Sequence, residues 1–125
     1  MLFNDAGEIM LIRNSYGRSD LFVLPGGGIR PWEEPVNAAR REIREELGCE
    51  VLDLTQLSTH YSAGEGKRDT IHLFTAAAAG ETKVDGFEVE EARFFARDAL
   101  PPNVSPATAR RVDEYDGRRE RDGKW

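Results

Sequence analysis

The sequence predicts a single α/β domain, and three observations point to it. Short apolar runs bounded by turn residues recur along the chain, the signature of strands. The segment from Pro35 to Leu47 carries helical spacing and its own start and stop signals. A second such segment begins after Ser105-Pro106. The 125 residues suit one compact domain, here expected over 1–115 with a charged tail over 116–125.

Asn4-Asp5-Ala6-Gly7 is turn chemistry between two apolar stretches and predicts a hairpin. The strand after it, from Glu8 to Arg13, holds Ile9-Met10-Leu11-Ile12 without interruption, which predicts burial on both faces. The strand before it offers only Met1-Leu2-Phe3, short enough that more chain or a second copy is expected to complete the sheet there. Leu21 to Leu24 predicts a buried strand stopped by Pro25 and Gly26-Gly27-Gly28. In the helix that follows, Pro35 costs no hydrogen bond at the first position. Glu33 and Glu34 sit where the helix dipole favours anions, and Gly48 supplies a left-handed cap. Strands are expected over 51–62, 70–79 and 88–95, with a polar turn over 63–69 and a loop over 80–86. In the second helix Val112 and Tyr115 share a side, and the mixed charges of 116–124 leave little to bury, predicting a frayed end.

Composition narrows the function classes. With 23 acidic against 17 basic residues the net charge is −6, which argues against a basic nucleic-acid-binding face. There is no apolar run long enough for a membrane span and no basic signal-peptide start, so a cytoplasmic location is expected. Cys49 stands alone and cannot form an internal disulfide. Of the 17 basic residues 14 are Arg, whose planar fork suits phosphate.

The chemistry concentrates on the helix from Pro35 to Leu47. At about 100° per residue, Glu42, Glu45 and Glu46 fall on one face, with Ala38 one turn earlier and the stripe Val36, Ala39, Ile43 and Leu47 beside it. That stripe is expected to pack on the sheet, leaving the carboxylates at the boundary of core and solvent. Three like charges so close repel one another. On the helix alone two remedies stand open: salt bridges to Arg41 and Arg44, or a hard divalent cation, which prefers carboxylate oxygen.

The flanking residues weigh on that choice. Gly27, five residues, Glu33, seven residues and then Arg41-Glu42-Ile43-Arg44-Glu45-Glu46-Leu47-Gly48-Cys49 match every fixed position of the Nudix box. A chance match along this chain has odds on the order of 10⁻⁵. The Leu24-Pro25-Gly26-Gly27 lead-in and the closing 88–95 segment with Leu100-Pro101 also resemble that family, over about residues 3–115. One departure is Cys49, where an aliphatic residue is usual. A buried Cys serves there as a small hydrophobe.

The resemblance implies an α/β/α sandwich with a mixed β-sheet between helices. It also implies hydrolysis of a phosphoanhydride bond in a small nucleotide, with Mg²⁺ or Mn²⁺ as cofactor. Carried over by position, it makes Glu42, Glu45 and Glu46 metal ligands with the Gly26 carbonyl, and has Glu33 and Arg41 brace the loop and helix. The general base is left open among Glu42, Glu46, Glu88 and Glu65, with Glu88 favoured because related sequences place a glutamate before the closing strand. From the residues themselves, Arg13, Arg18, Lys67 and Arg68 are candidate phosphate contacts, and Tyr16, Trp32, Tyr61 and Phe74 candidate stacking surfaces. His60 and His72 lack the spacing of a metal pair. The partners expected are a small nucleotide and a possible second copy in a homodimer, with neither nucleic acid nor membrane. The alternative is a nucleotide-binding sensor without turnover, disfavoured because such domains typically lose a box glutamate and this chain keeps them all.

Overall fold

The computed structural model describes residues 1–18, 20–64, 67–84 and 87–125. A mixed five-stranded sheet is built from β1 (Leu2–Phe3), β2 (Ile9–Asn14), β3 (Glu50–Gly64), β4 (Lys67–Ala79) and β5 (Val89–Phe95). Their order across the sheet is β3-β4-β1-β2-β5, with β1 parallel to β4 and the other neighbours antiparallel. Two helices, α1 (Pro35–Leu47) and α2 (Pro106–Tyr115), pack on opposite faces.

That layering can be read from β2. Met10 and Ile12 point into one cluster with Ile43 and Leu47 of α1, while Ile9 and Leu11 point into another with Val112 of α2. All four are buried, as the uninterrupted apolar run predicts. The β1–β2 turn is fixed by Asn4, whose side-chain oxygen accepts the N–H groups of Ala6 (3.1 Å) and Glu8 (2.9 Å).

Several expectations are corrected. β1 is indeed two residues long, yet it lies inside the sheet with β4 on one side and β2 on the other. Both sets of its backbone groups face neighbouring strands, so it offers no edge for a second copy to pair with. Residues 21–24 form no full strand. Phe22 and Val23 make single bridges, Val23 to Ile12 and Phe22 to Val104, because the chain crosses between the core and the start of α2 there. β3 and β4 extend further than expected, to Gly64 and from Lys67, which shortens the turn between them. The loose alternation of β3 has a cause in two register shifts, at 52–55 and 56–58.

The face of α1 that packs is also rotated from expectation. Ala38, Ile43, Glu46 and Leu47 are buried, whereas Val36 is 37% exposed. The helix turns its carboxylate side inward because the 25–28 loop lies over it and supplies a partner for Glu46. Gly48 ends the helix at φ 60°, its N–H bonding to the Arg44 carbonyl. At α2, Ser105 is the N-cap and its hydroxyl oxygen accepts the Thr108 N–H (3.2 Å).

The charged end does not fray. Tyr61 donates its N–H to the Gly123 carbonyl (2.8 Å) and accepts the Trp125 N–H (3.0 Å), so residues 123–125 add a short parallel bridge along β3. Among the described residues no helix is long and apolar enough to cross a membrane.

Candidate active site

α1 presents its carboxylates to the glycine loop. Glu46, 3% exposed, accepts the Gly26 N–H through Oε1 at 2.8 Å. Burial pushes its carboxyl up to about 8, helped by the negative charges of Glu42, Glu88 and Glu45 and opposed by the Gly26 bond. Glu42 lies against the next residue of the loop. A β-carbon on Gly27 would come within 2.6 Å of the Glu42 carboxyl carbon, so only glycine leaves that carboxylate its place.

Arg41 ties loop and helix together. Its Nε and Nη2 grip the two oxygens of Glu33, each at 2.7 Å, and Nη2 also donates to the Gly28 carbonyl at 3.0 Å. Nη1 reaches Glu42 at 3.0 Å and Glu45 at 3.2 Å. The guanidinium holds the Glu33 carboxyl far below the usual carboxylate range. Glu45 is the most exposed of the cluster, at 47% for its side chain, and approaches Arg30 at 3.8 Å.

Glu88 enters from outside the helix. It sits just before β5, and its backbone carbonyl accepts the Ser15 N–H (2.9 Å). Its charge is felt by Glu46 and by Tyr16. Tyr16 is 60% exposed, and its phenol is pushed up by partial desolvation and then by the charges of Glu46, Glu88 and Glu42. Glu42, Glu45 and Glu88 thus all come within electrostatic reach of Glu46, although Glu88 is forty-two residues beyond it in the chain.

Beside this cluster opens a cleft of about 540 Å³. Glu42 and Gly26–Gly28 form part of its wall, with Ala38, Ile43, Ile71 and Phe74 giving it a largely apolar lining. No Lys or Arg is among its described lining residues. Arg13 instead pairs with Glu91 (3.1 Å) and Glu90 (3.6 Å) on β5, and Arg18 pairs with Asp20 (3.1 Å). Arg68 is exposed on β4 opposite Ala63. The side chain of Lys67 and the whole of Glu65 lie outside the described residues. Of the aromatic candidates Phe74 lines the cleft, whereas Trp32 and Tyr61 are exposed.

Two features escape a reading of the sequence. The contact of Gly27 with Glu42 needs the loop folded back on the helix. Trp125, a single large aromatic in a charged run, lines the cleft. Its isolation among charged residues is the signal that could have marked it.

The carboxylates offer the hard oxygen donors that divalent cations take. Among the described residues, however, no group of three or more His, Cys, Asp or Glu stands arranged to hold an ion. Arg41 accounts for much of this, since its Nη1 lies between Glu42 and Glu45 as a positive centre.

Comparison with known proteins agrees with the geometry. The family model described as NUDIX domain matches residues 1–115. The putative 8-oxo-dGTP diphosphatase of Bacillus subtilis (strain 168) is 27% identical over 118 residues, covering 92% of this chain and 75% of that protein. The RNA pyrophosphohydrolase of Pseudomonas savastanoi pv. phaseolicola is 40% identical over 58 residues, 46% of this chain and 35% of its own length. The chain thus aligns with only about a third of that relative. In the crystal structure of the MutT NUDIX hydrolase from Burkholderia pseudomallei the same fold recurs at TM-score 0.75 and 30% identity, over 90% of this chain and 93% of that one. Such hydrolases generally use divalent cations. The chain belongs to the NUDIX domain family, the Nudix pyrophosphohydrolases.

Proposed function

We propose that this protein hydrolyses a phosphoanhydride bond in a small nucleotide, a nucleoside triphosphate or a nucleoside diphosphate derivative, in the cytoplasm. The observation that carries the reading is the carboxylate cluster of α1, buried at Glu46 and open through Glu42 to an apolar cleft. Glu42, Glu45, Glu46 and the Gly26 carbonyl are the groups assigned to hold Mg²⁺ or Mn²⁺. The donor chemistry fits, because three glutamates and a backbone carbonyl offer hard oxygen and burial already disfavours an uncompensated charge on Glu46; an ion here would take the place that Arg41 Nη1 holds between Glu42 and Glu45. When bound, the ion neutralises the diphosphate and stabilises the leaving phosphate.

The chain's own residues supply the rest. Gly26 fixes the Glu46 carboxylate through its N–H, and Arg41 holds the glycine loop on the helix through Glu33 and the Gly28 carbonyl. A carboxylate near the cluster takes the proton of the attacking water. We assign this role to Glu88, which comes from a separate segment and approaches the cluster without belonging to the helix.

The test is phosphate or pyrophosphate release with Mg²⁺ or Mn²⁺ across nucleoside triphosphates, nucleotide sugars, dinucleotides and ADP-ribose. The name of the Pseudomonas relative, an RNA pyrophosphohydrolase, adds RNA to the panel. Turnover of a free nucleotide that disappears with chelator is expected. Tight binding of one compound with no turnover of any would instead favour the sensor reading.

A further inference from the structure

Trp125 belongs to the cleft although it lies far from the box in sequence. Trp125 and Glu42 line the same 540 Å³ space. Four residues hold Trp125 there. The Trp125 N–H pairs with the Tyr61 carbonyl at 3.0 Å, and Arg110 Nη2 donates to the Trp125 carbonyl at 2.9 Å. The Arg111 guanidinium lies over the indole, 5.1 Å from its centroid, and the His60 ring meets it edge to face at 5.6 Å.

The support beneath it is costly. Arg111 is 1% exposed and pairs with buried Glu114 at 3.0 Å, while Glu114 Oε2 finds no hydrogen-bond partner. A buried ion pair with an unsatisfied oxygen is poor as a stabiliser. What this one does is present Arg111 Nη1 to the Lys124 carbonyl and its guanidinium face to Trp125. A charged segment with nothing else to bury is thereby pinned with Trp125 at the cleft.

The cleft's composition indicates what the ring meets. Its described lining holds Glu42 and Asp69 and lacks Lys and Arg, so it is ill suited to phosphates, and its mostly apolar walls suit a flat uncharged group. We propose that Trp125 is a substrate-binding residue on which the heteroaromatic base of the nucleotide stacks, the phosphates lying toward Glu42. This rests on the nucleotide reading above and names the end of the substrate that the cleft takes. Stacking accepts any base through its π-face, so purines and pyrimidines both engage it.

Because the chain has two tryptophans, Trp32→Phe leaves Trp125 as the reporter. In that protein, a non-hydrolysable imido analogue of a nucleoside triphosphate is titrated against tryptophan fluorescence, with imidodiphosphate as the base-free control. The proposal expects quenching by the nucleotide and none by imidodiphosphate. In the wild-type background, Trp125→Leu should raise KM about tenfold while changing kcat little, and Trp125→Phe should recover most of the loss. No quenching by nucleotide, equal quenching by imidodiphosphate, or an unchanged KM in Trp125→Leu would overturn it. Failure of every substrate to turn over refutes the hydrolase reading alone, since the titration needs no catalysis.

Discussion

Gly27 and Glu42 are in such close register that a single methyl group cannot be placed between them: a β-carbon at 27 would stand 2.6 Å from the Glu42 carboxyl carbon. The neighbour at risk is the far end of a side chain, which can move. Gly27→Ala should therefore fold and lose activity because Glu42 swings away. A displacement of about 1 Å at a reacting group costs about 10²-fold in rate. Circular dichroism and melting temperature close to wild type, with kcat reduced on that scale, are expected. Full activity would mean that the position of Glu42 does not matter.

Glu46→Gln preserves the acceptor for the Gly26 N–H and removes the negative charge. The fold should persist while turnover drops about 10²–10⁴-fold, and Glu42→Gln should behave alike. Binding of Mg²⁺ to the native state should also raise the wild-type melting temperature, the stabilisation reaching about 2.7 kcal/mol at a hundredfold excess over Kd. That rise should shrink in Glu46→Gln. Unchanged turnover in both variants would remove the metal assignment.

Arg41→Lys tests the brace. Lysine cannot reproduce the two-pronged contact with Glu33 while also reaching the Gly28 carbonyl and Glu42. Loosening of the loop on the helix should lower kcat roughly tenfold, with proteolysis appearing first in the 26–33 segment. Cleavage and kcat matching wild type would show that charge at 41 is enough.

His60 should leave its mark on stability against pH. Arg111 Nη1 donates to its Nδ1 (3.2 Å), so the neutral ring carries its proton on Nε2 and donates to Ser58 Oγ (2.8 Å). Burial, then the charges of Arg111 and Arg121, lower its pKa below 6.5, while Glu114 and the Lys124 carbonyl act in the opposite direction. With the folded-state value depressed, the unfolded chain binds the proton first as pH falls. The stabilisation is complete above about pH 6.5 and is lost as pH drops through it. His60→Gln keeps one acceptor and one donor without titrating. Between pH 7 and pH 5 wild type should therefore lose more stability to urea than His60→Gln, and equal losses would refute the neutral buried ring.

Much of this protein is written locally. Pro35 and Gly48 bound α1 at the residues where the structure begins and ends it, because the fixed φ of proline and a left-handed cap act over one turn. The same holds for Ser105 at α2 and for Asn4 in the first turn. The run Ile9–Ile12 carries the layering, since a strand apolar at every position must be covered on both faces. The spacing of Glu42, Glu45 and Glu46 put them on one side of a helix before any partner was known.

Other matters depend on what packs where. Spacing places Val36 and Glu46 on α1 but does not say which is covered. The 25–28 loop decides it, by offering Glu46 a backbone N–H and leaving Val36 outside. Glu88 reaches the cluster only because β5 pairs with β2, an antiparallel register set across the sheet. The tail reads as solvated because its charges outnumber its apolar groups. Its docking comes from two backbone bonds to Tyr61 on β3 and from contacts of Lys124 and Trp125 with Arg110 and Arg111 of α2, partners that only the folded chain brings together. Sequence alone thus determined the helix, its caps and the carboxylates it carries, all effects of neighbours within a few residues. Tertiary structure decided which carboxylate is buried, which distant residues join it and what walls the cleft, because burial and charge interaction depend on separation in space.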